Sequence, residues 1–155
     1  MRTAKQPSPP SEAATAEVSR QTFPAESEQL RQVCESVREA ASLCGFDERT
    51  SYACQLATCE AVENVIQHGY RGAAGGQVTV ETRARPGDLV VEIVDDAPPF
   101  DPTSYPLVSD ASPDDMQVGG RGILMIHRVM DDVHYERRGN KNHLRLTKNR
   151  AFTGA

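Results

Sequence analysis

Residues 77 to 95 constrain the fold more than any other stretch of this chain. Gln77 to Arg85 alternates, with Val78, Val80, Thr82 and Ala84 on one face, and Leu89 to Asp95 repeats the pattern with Leu89, Val91, Ile93 and Asp95. Side chains of a strand point alternately to opposite faces, so each segment reads as a strand with one buried face. Pro86-Gly87-Asp88 is a turn between them, and the pair forms an antiparallel hairpin. Asp95 ends the buried face. A carboxylate there is either a satisfied structural acceptor or a recognition group at the floor of a pocket.

Two helical patterns precede the hairpin. Leu30, Val33, Val37, Ala40 or Ala41, and Leu43 or Cys44 recur at three- and four-residue steps, closed by Gly45, and that face should pack on a sheet or another helix. Asp47 is placed to cap a second helix running from about Glu48 through His68 and stopping at Gly69. On this helix Glu60, Asn64 and His68 follow one another at intervals that advance only about 40° around the axis. They form a narrow polar stripe on a segment otherwise rich in Leu, Ile, Val, Ala and Cys. Such a stripe is the wet edge of an amphipathic helix, or it faces a hydrogen-bond network or a metal, since an unpaired buried carboxylate or amide costs several kcal/mol, roughly.

The remaining segments organise around these. Residues 1–17 hold Pro7, Pro9 and Pro10 among Ser, Ala, Lys and Glu, and read as a disordered tail. Val18 to Phe23 suits an edge strand ended by Pro24. Ala97 to Val118 contains five prolines and no usable periodicity, which marks a candidate lid. It ends in Gly119-Gly120-Arg121-Gly122, and Ile123 to Met130 then looks helical. Glycines before a helix let backbone amides approach an anion at the positive end of the helix dipole; the other reading is a flexible hinge. Val133 to Arg137 and His143 to Thr147 suggest a second hairpin around Gly139-Asn140-Lys141-Asn142, with the Arg137, Arg138 and Lys141 charges solvated at its tip.

At 155 residues the chain suits a single domain. Its net charge of -5, without long single-sign runs, argues against direct nucleic-acid binding. No segment approaches the roughly 20 apolar residues of a membrane helix. The start lacks an apolar signal core, so a cytoplasmic location is expected. Cys34, Cys44, Cys54 and Cys59 match no zinc-pair spacing and are expected to be free core thiols.

In order, the chain presents Glu60-Ala61-Val62-Glu63-Asn64-Val65-Ile66-Gln67-His68-Gly69-Tyr70, then Asp95-Asp96-Ala97-Pro98-Pro99-Phe100-Asp101-Pro102, then Gly119-Gly120-Arg121-Gly122-Ile123. This combination resembles the GHKL (Bergerat-fold) ATPases, and among them the anti-sigma factor, serine-protein kinase group; Val129 to Tyr135 also looks like that group. The resemblance implies an α/β two-layer sandwich, a mixed and mostly antiparallel sheet with three helices on one face. It implies a domain over residues 18–148, flanked by tails at 1–17 and 149–155.

The resemblance also implies Mg-ATP as cofactor. Asn64 matches the asparagine that helps hold Mg²⁺, Glu60 the general base, Asp95 the acceptor of the adenine amino group, and Gly119, Gly120 and Gly122 the turn along the phosphates, with Arg121 an added positive contact. His68 is read as a packing or helix-end residue. Ala97, counted with the nucleotide-contacting positions, stands where many relatives carry Gly, and its Cβ restricts the approach of backbone to ligand. The implied function is phosphorylation of a Ser or Thr on a STAS-type anti-sigma factor antagonist, together with sequestration of a sigma factor, by a homodimer. A nucleotide-dependent binding module without kinase activity is the alternative. A histidine-kinase ATPase half is disfavoured because no histidine precedes Glu60.

Overall fold

The computed structural model describes residues 15–104 and 120–150. Strand β1 (Glu17–Pro24) leads into helix α1 (Leu30–Leu43), helix α2 (Glu48–Asn64) and a π-helical turn (Val65–Gly69). Strands β2 (Gln77–Arg85) and β3 (Asp88–Asp95) follow, then helix α3 (Gly120–Val129) and strands β4 (Asp132–Arg138) and β5 (Lys141–Lys148). Short 3₁₀ turns occupy Ser27–Gln29 and Pro102–Ser104.

Local chemistry sets the boundaries. Gly45, at φ +76°, ends α1 in the left-handed conformation that glycine adopts without a Cβ penalty. The Asp47 carboxylate accepts from the Thr50 amide at 2.7 Å and caps α2. Hydrogen bonds from the Thr50 hydroxyl and then from its amide hold the Asp47 carboxyl below the usual range. After Asn64 the ladder widens: the Tyr70 amide donates to Val65 O at 2.9 Å, so the expected single helix to His68 is α-helical only to Asn64 and finishes as a π turn.

The sheet has the order β1-β2-β3-β5-β4, and all four pairings are antiparallel. Alternation works as expected: Val78, Val80, Thr82 and Ala84 of β2 and Leu89, Val91, Ile93 and Asp95 of β3 are all buried. Leu144 and Leu146 of β5 continue the same face, against Val33 and Val37 of α1, Ala57 and Ala61 of α2, and Ile126 of α3. Fully burying a side chain of the Leu or Ile class is worth about 1.5–3 kcal/mol, so this seam between sheet and helices carries the fold. The architecture is the two-layer α/β sandwich that the resemblance implies, with the three helices covering one face, but among the described residues the sheet is wholly antiparallel rather than mixed. No helix among the described residues is long and apolar enough to cross a membrane.

Three expectations are corrected. The four cysteines are not all free: Cys34 on α1 and Cys59 on α2 form a disulfide across a Cα separation of 6.2 Å, while Cys44 and Cys54 are free and buried. The pairing follows from α1 lying against α2, which cysteine spacing does not reveal. Asn142 belongs to a strand rather than a turn, because Gly139 at φ +57° and Asn140 complete the reversal by themselves. Arg137 is not a solvated tip charge; it is half-buried and hydrogen-bonded to Ala97 O and Asn142.

Candidate nucleotide site

Asn64 of the stripe on α2 and Asp95 at the end of β3 meet at one cleft, which Glu60 and His68 do not line. Ala61 and Asn64 of α2, Asp95 of β3, Phe100, Ile126 of α3 and Asn142 of β5 are among the residues that line it.

Asn64 reaches the cleft because it ends α2 on its buried side; it is only 5 % exposed. Its amide nitrogen Nδ2 is buried and has no hydrogen-bond partner among the described residues, and the same holds for Glu63 Oε2 and for Nε2 of His68 and His127. A buried amide N–H group without a partner carries a desolvation cost of about 1–3 kcal/mol. An amide offers either its oxygen or its nitrogen by a half-turn of the side chain, so Asn64 can present an oxygen to a hard cation. Among the described residues no group of three or more His, Cys, Asp or Glu could hold a metal ion. A cation of the Mg²⁺ kind fits such a place, since it takes few protein ligands and shares phosphate oxygens.

Glu60 lies one turn earlier, half-buried, against the start of α3. A Cβ on Gly122 would stand 2.5 Å from Glu60 Oε2, so the absence of a side chain at Gly122 is what leaves room for the carboxylate. Gly120 and Arg121 open α3. Gly119 lies outside the described residues, as do residues 105–118, most of the expected lid.

Asp95 sits between Val78 of β2 and Asn142 of β5 in the sheet register. Its Oδ1 accepts from the Ala97 amide at 2.9 Å and from Asn142 Nδ2 at 2.8 Å. Burial pushes the Asp95 carboxyl above the ordinary carboxylate range, opposed by the Asn142 and Ala97 hydrogen bonds and by the Arg137 charge. Ala97 is buried, and a Cβ on Gly69 would lie 3.0 Å from its methyl group, so Gly69 provides the space that Ala97 fills. The His68 ring stacks on Phe100 with centroids 5.9 Å apart, which ties the π turn to the residues after β3.

Three participants went unrecognised in the sequence: Asn142, Tyr135 and Arg137. Reading Gly139-Asn140 as a two-residue turn would have put Asn142 on the same face as Leu144 and Leu146. The pairing of β5 with β3, which sets Asn142 beside Asp95, joins positions 47 residues apart.

The family described as Histidine kinase-like ATPase domain matches residues 23–148. The chain is 30% identical over 105 residues to the serine-protein kinase RsbW of Listeria innocua, an alignment covering 63% of this chain and 66% of that protein, just under two thirds of its length. It is likewise 30% identical over 109 residues to the serine/threonine-protein kinase BtrW of Bordetella bronchiseptica, covering 68% of this chain and 75% of that protein. The solved RsbU and RsbW domains of a Mycobacterium tuberculosis protein share the fold at a TM-score of 0.55 and 17% identity, over 90% of this chain and 34% of that one.

Proposed function

The chain belongs to the histidine kinase-like ATPase family, in its anti-sigma factor, serine-protein kinase group, and from that premise we propose that it uses Mg-ATP to phosphorylate a Ser or Thr on a STAS-type anti-sigma factor antagonist. In this reading it also sequesters a sigma factor, as a cytoplasmic homodimer whose domain spans residues 18–148. The observation that supports it most is that Asn64 and Asp95, from different elements, line one cleft while Glu60 rests at the opening of α3.

When bound, Mg-ATP supplies the transferable γ-phosphoryl group and a cation that offsets charge on its oxygens. The protein's part is positioning. Asp95 accepts from the adenine amino group through Oδ2, the oxygen to which no described residue donates. Asn64 offers an amide oxygen on the phosphate side. The amides of Gly120 and Gly122 in the first turn of α3 face the phosphates at the positive end of the helix dipole, and the family resemblance assigns Gly119 and Arg121 to the same anion. Glu60 takes the proton of the incoming hydroxyl as the new oxygen–phosphorus bond forms and the bond to the β-phosphate oxygen breaks, with ADP leaving.

The test is incubation of the protein with labelled Mg-ATP and purified STAS domains. Label on a STAS serine or threonine is the expected result. ATP binding without transfer to any of them would instead favour a nucleotide-dependent module that only sequesters its partners.

A further inference from the structure

We propose that Asn142, held in place by Tyr135 and Arg137 of the β4–β5 hairpin, is the positioning residue that aims Asp95 at adenine and sets the preference for a 6-amino over a 6-oxo purine. This rests on the ATP-site reading above and extends it to the choice of base.

The orientation of the Asn142 amide is fixed by its neighbours. Arg137 Nη1 lies 3.1 Å from Asn142 Oδ1, and a guanidinium can only donate, so the oxygen must face it. The Tyr135 hydroxyl donates to the same oxygen at 2.5 Å. The amide nitrogen therefore faces three acceptors: Asp95 Oδ1 at 2.8 Å, Ala97 O at 3.1 Å and Pro98 O at 3.2 Å. Every group within reach of that nitrogen accepts, and every group within reach of the oxygen donates. A half-turn of the amide would break both sets, and at 4 % exposure water does not replace them.

This lock acts on Asp95. With Oδ1 saturated by Asn142 and by the Ala97 amide, Oδ2 is the oxygen left to read a ligand. A fixed carboxylate oxygen attracts an amino group and repels a carbonyl oxygen, which distinguishes adenine from hypoxanthine or guanine. The Asn142 hydrogen bond also opposes the effect of burial, which otherwise favours the neutral acid. Arg137 extends the lock by donating to Ala97 O at 2.8 Å, and the Phe100 backbone hydrogen-bonds to the Tyr135 hydroxyl. One hairpin thus holds both the base-reading carboxylate and the segment that follows it.

The experiment titrates the full chain with ATP and with inosine triphosphate, which carries a 6-oxo group, and compares wild type, Asn142→Ala and Tyr135→Phe. Wild type is expected to prefer ATP. Asn142→Ala should weaken ATP by about tenfold or more, the scale of a hydrogen bond to a charged group, while inosine triphosphate changes by less than about twofold. Tyr135→Phe keeps the ring and removes one donor to Asn142, so it should shift the ratio in the same direction by a smaller factor. Parallel weakening of both nucleotides, the signature of a merely structural role, would overturn the proposal, as would an unchanged ratio. If Asn142→Ala does not fold, Tyr135→Phe decides by the same criterion. Wild type that binds no ATP would overturn the ATP-site reading itself, whereas wild type that binds ATP with unaltered ratios in both variants would overturn only the role of Asn142.

Discussion

Gly122 and Glu60 are complementary: a methyl group on the glycine would stand 2.5 Å from the carboxylate oxygen Oε2. The contacted atom is the far end of a flexible side chain, so Gly122→Ala should fold. Inside a helix Ala is preferred to Gly by about 1 kcal/mol, and thermal melting should show the variant at least as stable as wild type. Glu60 would be pushed aside, and displacement of a reacting group by about 1 Å can lower a rate about a hundredfold. A stable Gly122→Ala variant that transfers phosphate at the wild-type rate would remove Glu60 from the mechanism.

Glu60→Gln tests the same group without moving it. The amide keeps the shape and loses the basicity, so ATP affinity by calorimetry should persist while transfer to a STAS domain falls at least about a hundredfold. Equal transfer by both proteins would show that Glu60 only orders its surroundings.

Asn64→Ala removes an amide whose buried nitrogen has no partner among the described residues. Stability should change little, because a lost packing contact is offset by the loss of a desolvated polar group. ATP affinity should become the same with and without magnesium. Calorimetry that still finds a magnesium dependence would assign the cation to other ligands.

Asp95 carries a pH signature. Burial raises its native pKa above the ordinary carboxylate value, so between those two values the native state holds more protons than the unfolded state. The stability linked to that proton is complete below the ordinary value and is lost as pH rises through the native one. Without nucleotide, Asp95→Asn should therefore be more stable than wild type at pH 7 in urea melts, with the difference shrinking on acidification. ATP affinity should run the other way, falling as acid protonates Asp95. A pH-independent difference between the two proteins would show that burial does not perturb this carboxyl.

The cysteines separate by reactivity. Burial pushes the Cys54 thiol up to about 12 and raises Cys44 as well. At pH 8 only on the order of one Cys54 in ten thousand is thiolate. Alkylation of the native, unreduced protein should modify none of the four. Mild reduction should open Cys34 and Cys59 alone, as peptide mass mapping would show, and denaturant should expose all four. Rapid labelling of Cys54 in the folded protein would contradict its burial.

What was legible in the sequence follows from the range of each interaction. The alternation from Val78 to Asp95 and the three- and four-residue rhythm from Leu30 to Ala41 are local, and they marked the buried faces correctly. The polar stripe of Glu60 and Asn64 is local too. The widening of the helix after Asn64 leaves no trace in that rhythm, because a π turn alters hydrogen bonding more than composition. Arg137 looked like a surface charge because its acceptor, Ala97 O, lies 40 residues earlier in the chain. Cys34 and Cys59 meet only once α1 lies on α2.

The strand order has a consequence in time. β3 gains one neighbour from β2, across a tight turn, and the other from β5, where the Asn142 that bonds to Asp95 follows 47 residues later. Ribosomes add about 5–20 residues per second, so Asp95 exists for roughly 2–10 s before its partner is made. Throughout that interval β3 has a bare edge, the kind of surface on which strands of other chains can pair. The corner that joins Asp95 to Asn142 thus closes only after two helices and three strands have already been made.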